Sequence, residues 1–122
     1  LLAHGEEVPG VLVVSYCEAL LRTANGAKAR QVVKTHRTSL SPREAVNLGW
    51  ICYRLGADDL AYGLLLAGLP DDLHNVKLLS TLERTAVRCR RVDDLVAAYA
   101  PLAASAPALH GRIKSLLRRR DR

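Results

Sequence analysis

The sequence predicts an all-α protein built from antiparallel helix hairpins. Three observations predict it. The apolar residues are mostly Leu, Ala and Val, with no Phe and no Met in 122 residues, and Ala and Leu are strong helix formers. These residues recur at helical spacing in segments bounded by Pro, Gly, Asn and Asp. No segment alternates apolar and polar residues long enough to make a strand.

Pro9-Gly10 opens the first segment, and Val11 to Arg22 places Val13, Val14, Cys17, Leu20 and Leu21 at helical spacing before Asn25-Gly26 breaks it. Ala27 to His36 reads as the second helix, with Ala29, Val32 and Val33 on one side. Ser41-Pro42-Arg43-Glu44 is a helix start: Ser41 can cap, Pro42 suits the first helical position, and Glu44 can reach back to close a capping box. That helix is expected to end at Gly56. Asp58 or Asp59 is expected to cap the next, from about Leu60 to Leu69, with Pro70-Asp71-Asp72 after it. Asn75 is expected to cap a helix from Val76 to about Arg90, and Asp93 or Asp94 one from Leu95 to about Ser105, stopped by Pro107. Residues 109–122 form a last helix ending in Arg118-Arg119-Arg120-Asp121-Arg122.

The formal net charge is +6 and uneven. Residues 1–61 hold seven Lys/Arg against six Asp/Glu; residues 62–122 hold eleven against six. An excess of cations in the second half suits an acidic partner, whether peptide, nucleic acid or anionic surface. Cys17, Cys52 and Cys89 are far apart and lack C-x-x-C spacing, so they read as reduced thiols of a cytoplasmic protein. No run is long and apolar enough for a membrane span. A chain without Met that starts Leu1-Leu2 reads as part of a longer protein, and its Ala, Leu and Arg richness as bacterial.

The hairpins repeat. From Leu48-Gly49, Cys52 stands at +4, Gly56 at +8, Ala61 at +13 and Leu65 at +17; from Leu82, 34 residues on, Ala86, Leu95 and Tyr99 stand at +4, +13 and +17. From Tyr16, Leu20, Ala24, Ala29 and Val33 follow at +4, +8, +13 and +17. These offsets resemble the tetratricopeptide repeat, whose pattern of a large residue, Leu-Gly, an aromatic, Gly, Ala, an aromatic and Pro spans about 34 residues. The copy at Leu48 matches best; Arg90 replaces the turn Gly of the third, and Pro70 comes early in the second. The resemblance covers residues 10–109. It implies a right-handed superhelix of three hairpins, at 10–41, 42–75 and 76–109, preceded by an N-terminal extension at 1–9 and closed by a basic capping helix at 110–122. One hairpin cannot bury its apolar face alone, so several must stack.

In such a superhelix the first helices line a concave groove. The resemblance places Val11, Val14, Ser15, Glu18 and Arg22 of the first hairpin there. From the later ones it places Arg43, Asn47, Trp50, Arg54, Lys77, Thr81, Arg84 and Arg88, with Lys114 and Arg118 from the last helix. Arginine suits bidentate capture of carboxylates or phosphates, and Trp50 offers an apolar anchor among the cations. Some members of the family clamp a partner's terminal carboxylate with Asn and Lys; Asn47 and Lys77 match two such positions, whereas Val14, Glu18 and Thr81 depart from them.

Nothing in the sequence forms a catalytic, cofactor or metal site. His4, His36, His74 and His110 fall near loops or ends, no Gly-rich phosphate loop is present, and Asp58-Asp59, Asp71-Asp72 and Asp93-Asp94 are explained by helix N-termini. The expected function is therefore a non-catalytic protein-interaction module, a scaffold, adaptor or chaperone, that holds an acidic segment in a basic groove. The alternatives are a nucleic-acid-binding helical repeat, for which one Trp and four Tyr offer few stacking platforms, and an accessory domain of a larger enzyme. Leu1, Leu2 and Val11–Val14 add an apolar N-terminal end suited to self-association.

Overall fold

A computed structural model describes residues 9–121 of the chain. Among the described residues it is all-helical, with no strand. The helices are α1 (Gly10–Arg22), α2 (Gly26–His36), α3 (Pro42–Arg54), α4 (Asp58–Ala67), α5 (Val76–Arg88), α6 (Val92–Leu102) and α7 (Leu109–Arg120), with short 3-10 turns at Arg37–Ser39 and Leu69–Asp71. The extension expected at 1–9 lies, apart from Pro9, outside the described residues, as do His4 and Arg122. The chain divides into two compact units, Leu1–Gly68 and Leu69–Arg122.

In the first unit α1 pairs with α2, α3 with α4, and α1 lies beside α3. Its core joins Val13 and Cys17 of α1, Val33 of α2, Ala45, Leu48 and Cys52 of α3, and Ala61 and Leu64 of α4. Small residues set the spacing inside each pair. A Cβ at Gly49 would lie 2.8 Å from the Leu65 side chain and 3.2 Å from its backbone nitrogen, so α3 and α4 touch almost backbone to backbone. The Cys17 Sγ lies 4.0 Å from the Ala29 carbonyl oxygen on α2. At the surface Arg30 of α2 donates to both carboxylate oxygens of Asp59 of α4, at 2.7 and 3.1 Å.

The start of α3 is set by its sequence. Ser41 Oγ accepts from the Glu44 N–H at 3.1 Å, and Glu44 Oε1 accepts from the Ser41 N–H at 2.9 Å. This closes the capping box, with Pro42 as the first helical residue. The end of α3 is a left-handed turn. Gly56 has φ +83°, its N–H donates to the Tyr53 carbonyl, and the next N–H, of Ala57, donates to Cys52. This is the two-bond arrangement that satisfies the last carbonyls of a helix.

The same turn recurs after α1 and α5. Ala24 (φ +62°) and Arg90 (φ +58°) occupy the left-handed position. The following N–H groups, of Asn25 and Arg91, reach back to Leu20 and Ala86 at 2.8 Å each. Each turn leads directly into the second helix of its pair, whose first bond is accepted by the carbonyl of Asn25, Ala57 or Arg91. The structure here corrects the sequence reading. Ala57 and Arg91 are the N-cap residues and give no side-chain cap, while Asp58, Asp59, Asp93 and Asp94 sit inside the first turns of α4 and α6. They act on the helix dipole, and α6 starts three residues before the expected Leu95.

In the second unit α5, α6 and α7 pack together. Leu78, Leu82 and Ala86 of α5, Leu95 and Tyr99 of α6, and Leu109 and Leu116 of α7 are buried. Asn75 caps α5 as expected, its Oδ1 accepting from the Leu78 N–H at 3.1 Å. Pro101 lies within the last turn of α6, which ends one residue later.

Candidate binding surface

The first unit presents one row of candidate contacts on α3. Arg43, Asn47, Trp50 and Arg54 follow at intervals of four, three and four residues, which keeps them on one side of a helix. The other side is fixed by burial of Ala45, Leu48, Gly49 and Cys52. Arg43, Asn47 and Arg54 are therefore exposed and Trp50 half-buried. On α1, Val11 and Ser15 are exposed and Val14 half-buried. Glu18 is occupied by Arg22, whose Nε and Nη2 both donate to Glu18 Oε2 at 3.1 and 2.8 Å. The first hairpin thus contributes a neutral patch and the second a cationic one.

The second unit repeats the row on α5. Lys77, Arg84 and Arg88 are exposed on the side opposite Leu78, Leu79, Leu82 and Ala86. Thr81, expected among them, is only 8 % exposed, so the row holds three cations with a recessed hydroxyl between. Lys114 and Arg118 are exposed on α7. None of Arg43, Arg54, Lys114 and Arg118 forms an ion pair with a described residue.

Sequence reasoning missed the group that organises the second unit. Glu83 on α5 is buried, 6 % exposed. Its carboxylate accepts from the Tyr99 hydroxyl of α6 at 2.8 Å and from Arg112 Nη1 of α7 at 3.0 and 2.9 Å. One carboxylate therefore ties all three helices. Asp93 is likewise engaged by Arg120 at 2.6 Å, and Asp94 by Arg91 at 3.7 Å. Residues 69–122 hold eleven Lys/Arg against six Asp/Glu. Four of those carboxylates, Glu83, Asp93, Asp94 and Asp121, are in ion pairs, and eleven cations against six acids leave the unit a surplus of five positive charges.

The remaining polar groups do not converge. Burial pushes the Cys17 thiol up to about 11 and Cys52 up to about 12, the latter with a smaller contribution from charge on Cys17 and Asp59. Neither is a nucleophile near neutral pH. The Arg30 guanidinium holds Asp59 below the usual carboxylate range. Among the described residues no group of His, Cys, Asp and Glu could hold a metal ion, and no helix is long and apolar enough to cross a membrane. No protein-family model, curated protein or solved structure matches this chain.

Proposed function

We propose that this chain is a non-catalytic protein-interaction module of tetratricopeptide-like hairpins that holds an acidic, extended segment of a partner against its basic first-helix rows. The observation that carries this reading lies within the second unit. Lys77, Arg84 and Arg88 share one exposed side of α5, and Lys114 and Arg118 are exposed on α7. Arg43 and Arg54 beside Trp50 give the first unit a second such row. The right-handed superhelix is part of the proposal. It is supported by the left-handed turn that recurs at Ala24, Gly56 and Arg90, the same offset from Tyr16, Leu48 and Leu82.

The charge of residues 69–122 also favours a second reading, nucleic-acid binding, because phosphate contacts dominate such affinity. Fluorescence anisotropy separates the two. A labelled Asp/Glu-rich peptide and single- and double-stranded oligonucleotides are titrated at about 50 and about 200 mM salt, a range over which a phosphate-driven complex loses about 10³-fold or more in affinity. The proposal expects the peptide to bind at the higher salt and Arg84→Glu with Arg88→Glu to abolish it. Oligonucleotide binding that outlasts peptide binding would move the assignment to the second reading. Binding of neither would refute both.

A further inference from the structure

We propose that α1 is the face through which two copies of this chain pair, antiparallel and about a two-fold axis near Tyr16. Leu12, Tyr16, Ala19 and Thr23 form one row on α1 at intervals of four, three and four residues, and all are exposed; Leu12 is 56 % and Tyr16 41 % accessible. The row corresponds, counted from the left-handed turn residue, to Glu44, Leu48, Ile51 and Leu55 of α3. At its centre Leu48 is fully buried, in the core that Val13 and Cys17 of α1 and Val33 of α2 provide. The corresponding Leu78, Leu82 and Thr85 of α5 are fully buried too. Within the first unit the centre of this row is thus covered on α3, at Leu48, although Leu55 at its end is exposed, and it is open on α1.

Its chemistry selects the occupant. The row carries no charged side chain, and the neighbouring Glu18 and Arg22 neutralise one another, so it does not suit the acidic segment proposed above. The Thr23 hydroxyl already donates to the Ala19 and Leu20 carbonyls, so burying the row does not strand it, and the Tyr16 hydroxyl can both donate and accept. Antiparallel apposition sets Leu12 of one copy against Ala19 of the other, large on small, with the two Tyr16 rings side by side. Such a contact is self-complementary and closes as a dimer. Residues 1–68 hold seven Lys/Arg against six Asp/Glu, so the unit that carries the row is nearly neutral and does not repel its copy. The patch is small, on the order of a few hundred Å² per copy, which places the pair at the weak end of specific interfaces.

Sedimentation equilibrium of the full chain over about 1–300 µM, the range such interfaces occupy, tests it. The expected result is a mass that rises from 13.3 kDa towards twice that value and no further. Leu12→Asp with Tyr16→Asp should weaken association at least tenfold, while Val76→Asp, at an apolar residue 62 % exposed on α5, should leave it unchanged. Both residues of the double variant are exposed, and circular dichroism checks that its helicity is kept. A Tyr16→Cys variant in a Cys89→Ser background should oxidise to a disulfide-linked dimer, and Val76→Cys in the same background should not. A chain that stays monomeric throughout, a mass that climbs past the dimer, or a dimer that survives the double variant overturns the proposal.

Discussion

The left-handed turns make opposite demands on three residues, and exchanging them tests the repeat directly. An L-residue held left-handed costs about 1–2 kcal/mol, whereas placing Gly there costs about 0.4–1 kcal/mol through the freedom it adds to the unfolded chain. At Gly56 nothing lies within 4 Å of a would-be Cβ, so Gly56→Ala feels only the backbone and should lose about 1 kcal/mol. Arg90→Gly and Ala24→Gly remove the same strain and should each gain about 0.5–1 kcal/mol. For a chain this long that is a shift in Tm of roughly 2–5 °C per variant. Arg90→Ala keeps the strain while removing the guanidinium, and should be close to neutral. Urea unfolding followed by circular dichroism measures all four, with an unchanged slope as the sign that only stability moved. If Arg90→Gly destabilises while Gly56→Ala is harmless, the turns are not equivalent. The register that aligns the rows of α3 and α5 would fail with them.

Three further outcomes follow from packing and charge. Gly49→Ala drives a methyl against Leu65; overpacking of about 1–3 kcal/mol exceeds the gain of about 1 kcal/mol in helix propensity, so chemical denaturation should show a net loss. Arg112→Met strips the buried Glu83 carboxylate of its counter-charge and should cost about 3 kcal/mol; adding Glu83→Gln, which still accepts from Tyr99, should restore more than half, and no recovery would mean that the pair is not the reason. The folded state keeps the Cys17 and Cys52 thiols protonated where the unfolded chain, near 9.0, loses them. Their contribution to stability is therefore full below pH 9 and is lost as pH rises through about 11 and about 12. Stability against pH above 9 reads this, and a thiol reagent at pH 8 should modify half-buried Cys89 well before the other two.

The elements that were legible in the sequence are those whose determinants are local. Ser41, Pro42 and Glu44 lie within four residues and form the capping box they spell, and Asn75 caps α5 by the same rule. The left-handed turns were legible only through their offset, because Ala24 and Arg90 carry none of the glycine signal of Gly56. The aspartate pairs misled for a related reason. A cap normally needs a residue that interrupts the helix, but after each of these turns the interruption is the turn itself. The carbonyls of Ala57 and Arg91 therefore start the next helix before the aspartates are reached.

Glu83 was not legible at all, and the reason bears on the candidate surface. Its neighbour Arg84 is one position away on the same turn of α5, yet one carboxylate is buried and the adjacent guanidinium is exposed. What separates them is Tyr99, 16 residues on, and Arg112, 29 residues on, and no spacing rule links three residues on three helices. The interaction also fixes how α5 is turned. With Glu83 drawn towards α6 and α7, the residues about a third of a turn round, Arg84 and Arg88, are left facing solvent together with Lys77. The cation row of the second unit is thus held in place by a buried anion on the same helix. Loosening that anion should weaken acidic-peptide binding even though Arg112 lies outside the row. Arg112→Met is accordingly expected to reduce peptide affinity at a temperature where the variant is still folded, and Arg112→Met with Glu83→Gln to regain it. An Arg112→Met protein that binds the peptide as wild type does would separate the two roles and leave the row to stand on its own packing.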